Sequence, residues 1–187
     1  KDDLIKDRMN HIELKELILK KNKLGALILL TSQGVPLIHQ GQEWAHSQVI
    51  SDTDVPDIHI GKMDRNPYNK DNETNWVNWE EKVQNKELVE YYRGLIKVRR
   101  SNGELRHARI KDFKFQGLSE NCLGFLIRDR VAVYLNGEID KTISADLPSG
   151  DWVILANGMN INTNGIGNVS GTVSLPPTSG MILVRKN

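Results

Sequence analysis

Gly34-Val35-Pro36-Leu37-Ile38-His39-Gln40-Gly41-Gln42-Glu43-Trp44 is the stretch on which the chain turns from helix to loop. Four apolar side chains in a row, with Pro at the second position, read as a short buried strand entered at its first residues. Before it, Leu14, Leu17, Ile18, Leu24, Leu27 and Ile28 recur at roughly helical spacing, and Lys15, Lys20, Lys21 and Lys23 mostly take the other face. Thr31-Ser32-Gln33-Gly34 should stop that helix, since Gly accepts the left-handed backbone common just past a helix end. A helix followed by a short buried strand, Val35–His39, is one repeat of an α/β architecture.

After the strand the composition from Gln40 to Gln84 becomes polar. So long a connection is usually functional or disordered. Trp76 and Trp79 speak against disorder, because large aromatics need something to pack on, and both read as loop anchors. A second amphipathic helix is marked by Leu88, Tyr91, Tyr92, Leu95, Ile96 and Val98, with Asn85 as its N-cap and Gly103 at its end; the two tyrosines read as core. Past Arg109 the pattern changes to strands. The candidates are Lys111–Phe115, Cys122–Ile127, Val131–Leu135, Thr142–Leu147, Trp152–Asn157, Val169–Leu175 and Met181–Val184, with turn signals at Asp129-Arg130, Pro148-Ser149-Gly150 and Pro176-Pro177. Strands at this spacing suggest an antiparallel β-sandwich of about 80 residues. The boundary falls near residue 108 with no Gly/Ser/Pro linker, so the two parts should pack closely.

Composition narrows the functional classes. The 187 residues allow one large or two small domains. With 25 basic and 24 acidic residues there is no electrostatic footprint for nucleic acid. No apolar run approaches the roughly 20 residues of a membrane span. The single cysteine, Cys122, cannot form an internal disulfide and reads as a small core residue. His11, His39, His46, His59 and His107 are too scattered for a zinc cluster, and no cofactor is evident. Lys1 in place of Met lets the sequence read as beginning inside a longer protein.

The segment Thr31–Trp44 resembles the eighth strand of the α-amylase superfamily barrel, with Gly34, Val35, Pro36, Gly41 and Glu43 at the marked positions. Asp64-Arg65-Asn66-Pro67-Tyr68-Asn69-Lys70-Asp71-Asn72-Glu73-Thr74-Asn75-Trp76-Val77-Asn78-Trp79 is similar to the loop of pullulanases and isoamylases, in which Asn-x-Tyr precedes an Asp-containing stretch and a closing Asn/Trp run. The helix Leu88–Arg106 is similar to that family's last barrel helix. Leu147-Pro148-Ser149-Gly150-Asp151-Trp152 and Ser174–Val184 look like the β-domain that ends type I pullulanases. One departure stands out. Lys70-Asp71-Asn72-Glu73 replaces the usual Pro-Asp and is nearer to isoamylase and glycogen-debranching relatives.

The resemblance implies an α+β chain: residues 1–107 as the last segment of a (β/α)8 TIM barrel and 108–187 as a C-terminal β-sandwich. It implies a retaining glycosidase acting on α-1,6 branch linkages of pullulan, starch or glycogen. Its partners would be a branched α-glucan and the remainder of the barrel upstream, with no nucleic acid and no membrane, and it leaves room for calcium in a full-length enzyme. Retaining chemistry needs two carboxyl groups about 5–5.5 Å apart. The resemblance puts the nucleophile, the acid/base and a third, transition-state-stabilising Asp on earlier barrel strands, the last in a His-Asp motif. No His-Asp dipeptide occurs here, and Asp2, Asp3 and Asp7 read as solvated charges. The expectation is therefore that no catalytic carboxylate lies in this chain. Glu43 takes a structural role at the barrel end; His39 and Gln40 either face substrate or are satisfied polar groups. Arg65, Asn66, Tyr68, Asn69 and Asp71 are the candidates for sugar contact, because sugars present paired hydroxyls to polar side chains and apolar ring faces to aromatics. Two alternatives stay open: a non-catalytic polysaccharide-binding or structural module, and a related enzyme of α-1,4 specificity. The β-domain's aromatics, exposed in a row or buried, would separate binding from structure; its Trp152 reads as core or interface.

Overall fold

A computed structural model describes residues 11–54, 58–64 and 66–186, with side chains from Glu16 onward. It has four α-helices and eight strands among these residues: α1 His11–Thr31, α2 Trp79–Gln84, α3 Lys86–Ser101 and α4 Glu104–His107, then β1 Phe113–Ser119, β2 Cys122–Ile127, β3 Val131–Asn136, β4 Ile143–Asp146, β5 Trp152–Ala156, β6 Gly167–Val169, β7 Thr172–Leu175 and β8 Ser179–Arg185. The described chain folds as two compact units, one taking in Ile38–Val89, the other Leu17–Leu37 and the described residues from Glu90 on. No helix is long and apolar enough to cross a membrane among the described residues.

In the larger unit, six strands form one antiparallel sheet in the order β1-β2-β3-β8-β5-β6, and β4 pairs with β7 in a second. The two sheets share one core. Leu126, Ala132, Tyr134, Trp152, Met181 and Leu183 from the wide sheet meet Ala145, Val173 and Leu175 from the narrow one. All six positions of β3 are buried. Since alternate side chains point to opposite faces, its second face must also be covered, and α1 helps cover it. A Cβ placed on Gly180 of β8 would lie 3.0 Å from Leu27 Cδ1, so glycine there lets α1 approach. The helix α3 adds Tyr91, whose hydroxyl donates to Asn157 O at 2.9 Å, and Gly94, packed directly on Ile161.

The end of α1 has a specific cause. Arg99, buried on α3, donates from Nη1 to Leu30 O (2.8 Å) and Ser32 O (2.7 Å) and from Nη2 to Gly34 O (2.7 Å). One guanidinium thus satisfies three carbonyls where the intrahelical ladder runs out. Gly34 takes φ +93°, the left-handed turn anticipated there.

Four expectations need correction. Val35–His39 has no regular structure and joins no ladder, and Val35 and Leu37 are 97 % and 83 % exposed. Its apolar run specifies burial, but the described chain supplies no strand beside it. Lys23 is 5 % exposed instead of solvated, its ammonium 5.3 Å from the Tyr91 ring centroid. Asn85 precedes α3 but does not cap it with its side chain, which donates to Trp44 O at 2.8 Å. Finally, Val169–Leu175 is not one strand: Gly171, at φ +78°, separates β6 from β7 and sends them to different sheets.

Candidate functional site

The smaller unit is mostly loop, so its site depends on how that loop is tied. Gly41 opens a 3-10 turn, Gln42–Trp44, at φ +86°, and a Cβ there would lie 2.5 Å from His46 Cβ. Only glycine meets both conditions. The turn buries Trp44 against Trp79 of α2, ring centroids 5.4 Å apart and tilted by 34°, and Lys82 lies 5.6 and 5.2 Å from the two centroids. Glu81 then clamps the following residues. Its Oε2 is 2.6 Å from His46 Nδ1 and accepts from Ser47 N at 3.2 Å, while Oε1 accepts from the Ser47 hydroxyl. Next comes a short antiparallel bridge, Val49 to Met63, with Asp64 N donating to Gln48 O at 2.8 Å.

The loop that follows is held by an internal cation. Lys70 Nζ is 2.7 Å from Asp54 Oδ2 and 2.7 Å from Asp64 Oδ2. Asp54 also accepts from the Thr74 hydroxyl at 2.5 Å and from the Asn72 amide. The Lys70 ammonium, then the Thr74 hydroxyl, hold the Asp54 carboxyl below the usual carboxylate range. The same two carboxylates hold Lys70 protonated well above its ordinary value.

These ties leave a cleft of about 400 Å³ lined by His39, Gln40, Gln48, Asn66, Pro67, Tyr68, Asn75 and Val77. Four of the residues singled out in the sequence meet there: His39, Gln40, Asn66 and Tyr68. Asn69 and Asp71 are exposed and do not line it. Glu43 sits in the 3-10 turn outside the lining, with Oε2 buried and without a hydrogen-bond partner among the described residues. Arg65, Asp2, Asp3 and Asp7 lie outside the described residues. The sequence reading missed Gln48, Pro67, Asn75 and Val77. Asn75 had a signal, its place in the Asn/Trp run; Gln48 lies in an unpatterned polar stretch.

Among the described residues no carboxylate lines the cleft, and no group of His, Cys, Asp and Glu could hold a metal ion. The lining offers amides, an imidazole and a phenol ring that is 81 % exposed. Such a set can hydrogen-bond and stack on a ligand; it cannot by itself assemble a pair of carboxyl groups.

No family model matches the chain. Among curated proteins it is 30% identical over 141 residues to the glycogen debranching enzyme of Cronobacter sakazakii, covering 66% of this chain and 19% of that protein. Among solved structures it matches the pullulanase from Bacillus acidopullulyticus with a TM-score of 0.76 and 24% identity, over 89% of this chain and 20% of that one. It matches the pullulanase of Anoxybacillus sp. LM18-11, complexed with maltotetraose, with a TM-score of 0.72 and 22% identity, over 90% of this chain and 23% of that one. The catalytic module of the glycogen-degrading pneumococcal virulence factor SpuA gives a TM-score of 0.71 and 19% identity, over 97% of this chain and 33% of that module. The chain therefore spans about a fifth of the length of the curated relative and of the Bacillus pullulanase. These relatives, pullulanases and a glycogen debranching enzyme, are glycoside hydrolases, and the chain is related to that class. Within the class its similarity is to pullulanases and a glycogen debranching enzyme.

Proposed function

We propose that the chain is the C-terminal portion of a glycoside hydrolase that cleaves α-1,6-glucosidic branch linkages in pullulan, starch or glycogen. In this reading residues 1–107 are the last segment of the (β/α)8 barrel and 108–187 a β-sandwich cap. Val35–His39 is the eighth barrel strand, and its ladder partners belong to the rest of the enzyme. The catalytic carboxylates stand on other strands, as expected when catalytic groups come from the ends of several barrel strands. What this chain contributes is part of the cleft wall: Asn66 and Tyr68 contact the glucan, His39 and Gln40 form the rim, and Arg65, Asn69 and Asp71 lie along its approach.

One observation carries this reading. The end of the apolar run and the Asn-x-Tyr element are far apart in sequence, yet they line one cleft, in a fold shared with pullulanases. The β-domain's own aromatics favour a structural role for it over polysaccharide binding. Phe125, Tyr134 and Trp152 are buried, and Phe115, 60 % exposed, packs against Phe113 and Phe125 instead of standing in an open row.

The test is a chimera in which this chain replaces the matching segment of the Bacillus acidopullulyticus pullulanase. It should hydrolyse pullulan, and Tyr68→Ala should lower kcat/KM about ten- to a hundred-fold with little change in Tm, the loss of one positioned contact. A folded chimera whose kinetics ignore Tyr68→Ala and Asp71→Ala alike would reject the cleft assignment. A chimera that cleaves only α-1,4-linked maltooligosaccharides would reject the branch specificity.

A further inference from the structure

Gln48 and Asn75 face each other in the cleft, and their hydrogen bonds can be counted to completion. Asn75 Nδ2 donates to Pro67 O at 2.5 Å and to Lys70 O at 2.6 Å, so both its donors are used. Flipping the amide would set its oxygen against two carbonyl oxygens, which fixes the assignment. Asn75 Oδ1 therefore faces Gln48, and Gln48 Nε2 donates to it at 2.9 Å. The orientation of Gln48 is fixed in turn. One N–H of its amide is used; the second N–H and Oε1 have no protein partner among the described residues.

The backbone of Gln48 is held as firmly. Its carbonyl accepts from Asp64 N at 2.8 Å, and the next residue bridges to Met63. Asn75 meanwhile closes the turn that presents Tyr68, since Lys70 N already donates to Pro67 O at 3.0 Å. One planar amide thus offers the cleft a donor and an acceptor side by side, in a fixed orientation, beside an exposed aromatic ring. That matches a pyranose, whose neighbouring hydroxyls can each give and take one hydrogen bond and whose ring face is apolar. In an α-1,4-linked glucosyl unit the adjacent free pair is the 2- and 3-hydroxyl.

We propose that Gln48 is a sugar-reading residue of this cleft, binding an adjacent hydroxyl pair of a glucosyl unit, and that Asn75 is the positioning residue that orients both Gln48 and the Tyr68 turn. The proposal rests on the α-glucan reading above. Pre-organisation gives it physical content: an amide held in its bound orientation has no rotamer freedom left to lose on binding.

The test uses the pullulanase chimera described above, with its grafted segment ¹⁵N-labelled, titrated with maltotriose. The Gln48 side-chain amide and the Tyr68 backbone amide should shift. Gln48→Ala and the length-preserving Gln48→Met should each weaken binding about tenfold, the loss of one or two neutral hydrogen bonds, and leave amide exchange at Asn69 and Lys70 unchanged. Asn75→Asp should weaken binding and also speed exchange at Lys70 in the sugar-free chimera. Unchanged affinity in both Gln48 variants, with maltotriose still shifting Tyr68, overturns the role of Gln48 and leaves the cleft reading standing. A folded chimera, otherwise unaltered, in which maltotriose shifts neither Gln48 nor Tyr68 overturns the cleft reading and the role of Gln48 together. Unchanged exchange at Lys70 in Asn75→Asp overturns the positioning role whatever the sugar does.

Discussion

Lys70 does by its ammonium what a bound cation would do in a loop with so little regular structure. Two half-buried carboxylates converge on it, and Thr74 and Asn72 complete the set around Asp54. The pH dependence follows from the direction of the shifts. Asp54 has a folded-state pKa below its unfolded value, so its contribution is complete above about pH 4 and fades as the pH falls through the folded value. Lys70 has a raised pKa, so its contribution is complete below about pH 10 and is lost only as the pH climbs past the folded value. The loop should hold a plateau through neutrality and loosen in acid. The protection factors of the Asn75 and Trp76 amides, whose N–H groups donate to Asn72 O and Glu73 O, should fall at pH 3 and stay steady between pH 6 and 9, each referred to the intrinsic exchange rate at that pH. Lys70→Met leaves two carboxylates facing each other and should loosen the same amides already at neutral pH; exchange as slow as in the wild type would show that the ammonium is dispensable. Little of this was legible beforehand. A Lys between two acidic residues brought from sixteen and six positions away carries no local pattern, and Gln48 was hidden for the same reason. Tyr68 and Asn66 could be singled out because they match the Asn-x-Tyr element of the family loop that this stretch resembles.

At the scale of elements, the strands were the most readable part. Alternation and turn residues are local, and Cys122–Ile127 begins and ends where expected. The start of β1 was read too early, because Ile110–Asp112 forms a 3-10 turn in which the Asp112 carboxylate takes the Arg109 N–H at 2.8 Å. Lys23 was misread because helical periodicity shows which residues share a face, not whether a second helix covers it. The end of α1 was placed from Gly34, but the residue that seals it lies on another helix. That seal can be tested. Arg99→Lys retains the charge but cannot present a planar fork to three carbonyls, and should cost about 1–3 kcal/mol by leaving buried acceptors unmet. Urea denaturation is the measurement, and a midpoint equal to the wild type would mean water replaces the guanidinium at no cost. The connection from α4 into β1 is tied as well: Gln33 Nε2 donates to Glu104 O at 3.2 Å, and Arg128 Nη2 lies 3.0 Å from Asp112 Oδ2. Limited proteolysis should therefore spare Arg106–Lys111, despite its basic residues; rapid trypsin cleavage there, releasing a stable β-domain, would contradict close packing of helices and sheet.

For the whole molecule, the proposed function predicts that the 187-residue chain alone turns over neither pullulan nor a chromogenic maltooside. A barrel closes only with all its strands, and among the described residues no carboxylate lines the cleft. Turnover above buffer that Glu43→Gln abolishes would place the catalytic centre in this chain after all. The exposed run around Val35 and Leu37 has a colloidal consequence. A short, exposed, uncharged apolar segment outside any ladder is a surface to which other molecules adhere, and Pro36, which withholds one backbone donor, is its main safeguard. Solutions of the chain should scatter light increasingly as they are concentrated. Leu37→Asp should raise the concentration at which turbidity begins, and Pro36→Val should lower it, so that the working limit of any preparation is set by four residues at the end of one helix.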